Sequence, residues 1–223
     1  MSKAVIFDMD GVLIDTERYL VKYWCQAAQE AGFPMKYEQA CLLRSLAGPY
    51  AQSLVQKLFG TEFDYFAVRK RRKELMAQHI EACGIQKKAG VDETLDALHA
   101  QGYLTAVATA TDEQRTERYL KQVGIYEKFD RIICATMVEH GKPKPDIYLY
   151  AAKQLACDVK DCFAIEDSPN GVQAAVSAGI PTIMVPDLTR PDAHTEQIVY
   201  AVADSLPEIL AYVEPDNFKI NGH

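Results

Sequence analysis

Apolar residues change their spacing twice along the chain. Residues 3–8, Lys3-Ala4-Val5-Ile6-Phe7-Asp8, form a short apolar run that ends on an acid, which predicts a buried strand. From residue 16 to about residue 88 the apolar positions recur at helical spacing, most clearly over 19–31 and 66–83, with Gly32, Gly60 and Gly84 as punctuation. No strand-like run interrupts this stretch, so it predicts a small all-helical unit. After Gly90, amphipathic windows and short apolar runs alternate: helix 91–101, strand 104–108, helix 112–123, strand 131–134, helix 147–155, strand 162–165, helix 170–178 and strand 182–185. An edge strand at 200–203 and a last helix at 205–212 follow, before a polar, loosely held tail over 214–223.

Strands that alternate with helices of this length imply right-handed crossovers and a parallel sheet. The expected fold is α/β, a doubly wound, Rossmann-like parallel sheet with an inserted all-helical cap domain. Residues 1–15 and 88–223 would form the core and residues 16–87 the cap, seated above the carboxyl ends of the strands, where such sheets bind ligands. The two crossings, near 14–16 and 87–90, would serve as hinges for cap opening.

Composition narrows the function classes. A chain of 223 residues buries about 70% of its unfolded surface without a staple. Hydrophobic residues at 48% and charged ones at 25% are ordinary globular usage, which excludes disordered and fibrous classes. Acids outnumber bases 31 to 24, the reverse of a phosphate-tracking nucleic-acid binder. Charges break every apolar run before a membrane span is reached. The amino terminus runs into acids, which does not suit a signal peptide. Cys25, Cys41, Cys83, Cys134, Cys157 and Cys162 are scattered with no C-x-x-C pair, which reads as reduced thiols of a cytoplasmic protein rather than zinc ligands. Nothing in the architecture requires association, so a monomer is expected.

The chemistry sits at predicted strand ends. Asp8-Met9-Asp10-Gly11 follows the first strand and Glu166-Asp167-Ser168 follows strand 162–165, so these acids converge on one edge of the sheet. Carboxylates gathered there repel one another unless a cation neutralises them, and hard oxygen ligands with open positions suit Mg²⁺. A calcium loop starting at Asp8 is excluded, because Leu13 and Tyr19 stand where glycine and glutamate are needed. Ala108-Thr109-Ala110-Thr111 follows strand 104–108, and a hydroxyl with free amides at a helix start can cradle phosphate. Gly141-Lys142-Pro143-Lys144-Pro145-Asp146 is a proline-fixed loop that can hold a lysine as counter-charge. Each has a plain alternative: a turn at Asp10-Gly11, a helix cap at Thr111 or Asp112, and exposed lysines in the proline loop.

Taken together, Asp8 through Thr16, then Thr109, then Lys142-Pro143, then Glu166-Asp167-Ser168-Pro169-Asn170-Gly171, resemble the four ordered motifs of the haloacid dehalogenase-like hydrolase superfamily. The resemblance covers the whole chain and is nearest to the small phosphatases and β-phosphoglucomutases that carry a helical cap after the first motif. It implies that Asp8 is the nucleophile that forms an aspartyl phosphate, and that Asp10 protonates the leaving oxygen and then deprotonates water. It implies Mg²⁺ held by Asp8 and Asp167, by Asp10 through its carbonyl, and by Glu166 directly or from just behind. Thr109, Ala110 and Lys142 would hold the phosphoryl oxygens. Lys142, not Lys144, matches the family's lysine before Pro-x-Pro-Asp. Dehalogenase members lack a carboxylate at the position of Asp10, so Asp10 argues for phosphate chemistry.

The implied function is hydrolysis of a small phosphorylated metabolite, such as a sugar phosphate. Leu46-Ala47-Gly48-Pro49-Tyr50 matches the family's substrate loop, with Gly48 as its glycine. β-Phosphoglucomutases place a lysine and an arginine where this chain has Ala47 and Ala51, which weakens a mutase reading, although Arg44 stands nearby as a substitute. A non-catalytic sensor of phosphorylated ligands is a third reading, against which every catalytic position is filled. The basic run Arg69-Lys70-Arg71-Arg72-Lys73 is expected to be mainly a solvated helix face, because five consecutive residues cannot share one side, with attraction of anionic substrates as the alternative. His140 is expected to be exposed, with contact to the site as the alternative, and Tyr19, Tyr23 and Trp24 to pack in the cap core, with lining of the substrate pocket as the alternative.

Overall fold

The first predicted strand is β1 (Ala4–Phe7), and all four of its residues are buried. The computed structural model describes residues 3–213. Five further strands, β2 (Leu104–Thr109), β3 (Arg131–Cys134), β4 (Cys162–Glu166), β5 (Thr182–Met184) and β6 (Ala201–Val202), complete a parallel sheet of order β3-β2-β1-β4-β5-β6. The order reverses between β1 and β4, and at such a switch point the connections part and leave a crevice beyond the strand ends. Phe7 is in register with Ile165, and the Asp8 amide donates to the Ile165 carbonyl at 2.9 Å. The residues that follow β1 and β4 therefore emerge side by side, although they lie far apart in the chain.

Alternation along β1 divides its side chains between two cores: Val5 and Phe7 face one and Ala4 and Ile6 the other. The second core is rich in small residues, with Ala106, Ala108 and Ala164 from the sheet meeting Ala151, Ala152, Ala174 and Ala175. Burial on both faces is why these strands read as continuous apolar runs.

Four helices follow β1 before Gly90: α1 (Glu17–Glu30), α2 (Tyr37–Cys41), α3 (Gly48–Phe59) and α4 (Tyr65–Cys83). Helices α1 and α4 bury apolar stripes that include Val21, Ala27 and Ala28 on one and Val68, Leu75 and Ile80 on the other. Asp64 caps α4 by accepting from the Ala67 amide at 3.0 Å. Where the insert joins the sheet, Ile14 bridges Lys87, the Asp15 amide donates to the Gln86 carbonyl and the Lys88 amide to the Leu13 carbonyl.

The remaining helices, α5 (Val91–Ala100), α6 (Glu113–Gln122), α7 (Asp146–Gln154), α8 (Pro169–Ser177) and α9 (Ala193–Ile198), follow the expected alternation. Helices α2 and α9 have five and six residues, too short to show a period in the sequence. The helix expected over 205–212 is instead a 3₁₀ turn, Pro207–Ala211, because Pro207 restrains the residue before it and donates no hydrogen bond. The tail expected over 214–223 lies outside the described residues. Among the described residues no helix is long and apolar enough to cross a membrane, and all six cysteines are free thiols.

Candidate active site

The two acid-bearing strand ends and the proline-fixed loop meet at the switch point. Asp8 follows β1, Glu166 ends β4 and Asp167 comes next; one carboxylate oxygen from each lies within 4.8 Å of the others. Lys142, from the loop before α7, reaches between them. Its Nζ donates to Asp8 Oδ1 at 2.7 Å and to Glu166 Oε1 at 2.6 Å. Tyr148, in the first turn of α7, donates its hydroxyl to the same Glu166 oxygen at 2.5 Å. All four charged residues are buried.

Burial pushes the Asp8 carboxyl well above the usual range, Lys142 pulls it back, and Glu166, Asp167 and Asp10 add repulsion. Asp167 is pushed up to about 7, first by burial, with Arg44 opposing. Burial alone would lower Lys142, but the Asp8 and Glu166 carboxylates reverse this and hold its ammonium above its ordinary range. Two buried carboxylate oxygens, Asp8 Oδ2 and Asp167 Oδ1, have no hydrogen-bond partner. Orphaned oxygens in an acid-rich cluster fit a hard divalent cation, which would relieve the repulsion and satisfy both. Glu166 is differently placed: Lys142 and Tyr148 occupy Oε1, while the Asp167 amide and the Ser168 hydroxyl approach Oε2 at 3.2 and 3.5 Å. Its role in this geometry is to hold Lys142 against Asp8.

Asp10 stands apart from that cluster. Thr16 donates to its Oδ1 and Thr111 to its Oδ2, the latter at 3.0 Å, so the carboxylate is clamped where it lines the crevice. Thr109 ends β2 fully buried and accepts from the Thr111 amide at 3.1 Å, while Ala110 is exposed on the crevice wall. Asp112 caps α6, as one of the plain readings of this loop expected.

Glycine is required where backbone approaches the acids. Gly11 has φ +86°, and a Cβ there would strike the Asp167 carboxylate. A Cβ on Gly171, in the first turn of α8, would strike the carboxyl group of Glu166. Gly171→Ala is expected to lower unfolding free energy by about 1–3 kcal/mol through overpacking of this polar centre. Urea unfolding checks it, and an unchanged midpoint would mean that Glu166 can yield.

The candidate substrate-loop residues are placed less simply. Arg44 lines the crevice, but its Nη2 donates to the Asp167 carbonyl at 2.8 Å and to Asp167 Oδ2. Its Nη1 donates to Thr189 at 3.0 Å, and its Nε lies 3.4 Å from Glu17. Gly48 opens α3 and is not on the crevice wall, whereas Ser45, Leu46 and Ala51 are. The Ala47 amide donates to the Lys142 carbonyl at 2.9 Å, and the Asn170 side chain donates to the Arg44 carbonyl at 2.9 Å. The segment around 42–48 is thus tied down onto the sheet end.

Beside the acids lies a cleft that is partly open to solvent. The basic run departs from the expectation of a mainly solvated face. Residues 65, 69, 72 and 76 recur at helical spacing, so α4 turns Tyr65, Arg69, Arg72 and Met76 into the cleft. Arg71 points elsewhere and pairs with Glu30 at 2.6 Å. Trp24 also lines the cleft, while Tyr19 and Tyr23 stack near His79 with ring centroids 4.0 and 5.8 Å away. His140 is exposed, bonded to Asp146 at 2.9 Å. Sequence reasoning did not single out Thr16, Glu17, Thr111 or Tyr148 as site residues. For Thr16 and Thr111 a signal existed, since both lie inside the quoted motifs; for Tyr148 there was none.

The family model of the haloacid dehalogenase-like hydrolases matches residues 5–185. A phosphorylated carbohydrates phosphatase of Thermotoga maritima is 31% identical over 182 residues, covering 81% of this chain and 83% of its own length. The β-phosphoglucomutase of Bacillus subtilis is 28% identical over 229 residues, covering 92% of this chain and all of its own. Among solved structures, a hydrolase from Pseudomonas syringae superposes with a TM-score of 0.84 at 19% identity, over 95% of this chain and 98% of that one. With the sheet order, the acids at the switch point and the family model all in agreement, the chain belongs to the haloacid dehalogenase-like hydrolases.

Proposed function

We propose that this chain is a Mg²⁺-dependent phosphatase that hydrolyses a small phosphorylated metabolite, such as a sugar phosphate, through an aspartyl phosphate on Asp8. One observation carries the reading: Asp8 lies at the base of the cleft with Oδ1 fixed by Lys142 and Oδ2 unpartnered, and Asp10 lines the same cleft. Asp8 attacks phosphorus in line as the bond to the leaving oxygen breaks. A proton held on Asp10 passes to that oxygen, and Asp10 then takes a proton from the water that opens the aspartyl phosphate. Thr16 and Thr111 keep the Asp10 carboxylate aimed through both steps. Lys142 balances charge on the phosphoryl oxygens. Thr109, whose oxygen already accepts from the Thr111 amide, keeps its own hydroxyl proton free to donate. Asp8 and Asp167 would hold Mg²⁺ with the Asp10 carbonyl, and the bound ion would offset the acids that otherwise repel a phosphate dianion.

Phosphate release from a panel of sugar and metabolite phosphates tests the reading. Release is expected with Mg²⁺, to vanish with EDTA and to return on re-addition of Mg²⁺; release that ignores EDTA would refute metal dependence. Because carboxyls pushed up by burial must shed protons to bind metal, Mg²⁺ should raise the melting temperature more at pH 7.5 than at pH 5.5. Equal shifts at both pH values would place the ion elsewhere.

A mutase is the second reading, favoured by the full-length similarity to β-phosphoglucomutase. Against it, Ala51 is buried on the cleft wall where that reaction calls for a cation. Formation of glucose 6-phosphate from β-glucose 1-phosphate, primed with a trace of bisphosphate, would decide for the mutase.

A further inference from the structure

The cleft also carries positive charge that the phosphatase chemistry does not use. Arg69 and Arg72 come from α4 and Arg115 from α6, and all three line the same cleft as Asp8 and Asp10. Arg72 is the unusual member. It is only 7% exposed, its guanidinium lies 5.1 Å from the centre of the Trp24 ring, and its Nε has no hydrogen-bond partner. No carboxylate pairs with it among the described residues. Arg115 has a partner, Asp112 at 2.8 Å, but remains partly open to the cleft.

Charges of one sign gathered in a partly dry cleft raise one another's energy. Burial lowers Arg72 to about 10, and the neighbouring Arg115 and Arg69 push the same way. Lys73 is lowered by burial and by Arg69 and Arg115 as well. A buried guanidinium with no counter-ion is unfavourable unless something anionic completes it. Trp24, itself stacked on Tyr65 with centroids 5.9 Å apart, holds the Arg72 plane in place without neutralising it. Arg72 is thus fixed, desolvated and without an ion-pair partner, with Arg69 and Arg115 on the same cleft, which suits a pocket waiting for a charged group. In the phosphatase reading the reacting phosphate does not fill this role, because it goes to Asp8 with Lys142 as its counter-charge.

Resting on the phosphatase reading above, we infer that Arg69, Arg72 and Arg115 form a specificity subsite for a second anionic group on the substrate. The preferred substrates are therefore phosphomonoesters that also carry a carboxylate or a second phosphate at the end remote from the scissile bond. Arg72 is the anchor of this subsite, and Arg69 and Arg115 close around the anion from either side of it. Esters with only hydroxyls at that end leave the buried guanidinium unpaired, so they bind weakly.

Matched pairs test this. Glycerol 3-phosphate and 3-phosphoglycerate differ only in a hydroxymethyl replaced by a carboxylate; fructose 6-phosphate and fructose 1,6-bisphosphate differ by a second phosphate. With Mg²⁺, kcat/KM is expected to favour at least one doubly anionic member by about 10- to 100-fold, the range of one or two charge-assisted hydrogen bonds, mainly through KM. Which pair shows the larger ratio identifies carboxylate or phosphate as the second group. Arg72→Met, which keeps the bulk against Trp24, should collapse that ratio toward 1, and Arg115→Gln, at a partly buried position, should reduce it in part. A ratio near 1 in the wild-type enzyme for both pairs would overturn the subsite while leaving the phosphatase standing. A ratio that survives Arg72→Met would overturn it equally. No phosphate release from any of the four esters would overturn the phosphatase reading and this inference with it.

Discussion

Asp8→Asn is expected to abolish phosphate release, with kcat lower by about four orders of magnitude or more, as when a nucleophile is removed from a machinery that acts as a unit. The substitution is nearly isosteric, and its side-chain oxygen can still accept from Lys142 as Asp8 Oδ1 does at 2.7 Å. It also removes one of three mutually repelling carboxylates from a buried cluster. In metal-free solution its unfolding midpoint should therefore equal or exceed that of the parent chain. Activity lost with stability kept is the signature of a chemical role, since a structural one would move both together. Phosphate release followed beside urea unfolding checks it, and a variant that keeps parental turnover would remove Asp8 from the chemistry.

Lys142→Met should do both kinds of damage. Lys142 is fully buried and neutralises Asp8 and Glu166 at once, at 2.7 and 2.6 Å. Deleting one partner of a buried ion pair leaves the other side uncompensated, at about 3–5 kcal/mol in measured cases. The same loss is expected here in the absence of metal, along with at least about a hundredfold fall in phosphate release, the scale of one electrostatic group lost from a charge-stabilising site. The double variant Lys142→Met with Glu166→Gln separates the two effects. Removing the stranded Glu166 charge should restore much of the stability, because the glutamine amide can still meet the Tyr148 hydroxyl, yet phosphate release should stay low. Recovery of activity in the double variant would show that Lys142 acts only as a structural counter-ion.

How much of this site was legible in the chain depends on where the chemistry sits. Asp8, Asp10, Thr109, Lys142, Glu166 and Asp167 each lie at or just past a predicted strand end or in a proline-fixed loop; singly each had a plain alternative, and their joint order, through the family resemblance, singled them out. Their partners carry no such mark. Tyr148 reads as one apolar position of α7, yet its hydroxyl meets Glu166. Glu17 reads as an acid in the first turn of α1, yet it is buried, with its carboxyl pushed well up by burial and by nearby Asp167. Arg44 belongs to the helical insert but finds its partner, Asp167, across 123 residues.

The alternation of short apolar runs with amphipathic windows after Gly90 determined a parallel α/β sheet, and the helical stretch before it determined an insertion, because side-chain period is a local property of backbone geometry. Order and register were decided only by the folded sheet. The reversal between β1 and β4 sets Asp8 beside Glu166, since their neighbours Phe7 and Ile165 are paired across the two strands. The basic run shows the same division. Its composition was plain, and helical spacing meant that the five cations could not share one side, but which of them face the cleft was decided by packing: α4 sends Arg71 to Glu30 and Arg69 and Arg72 into the cleft. Which face of a polar helix is buried is set by what packs opposite it. For Arg72 that is Trp24 from α1, a neighbour that only the tertiary structure could supply.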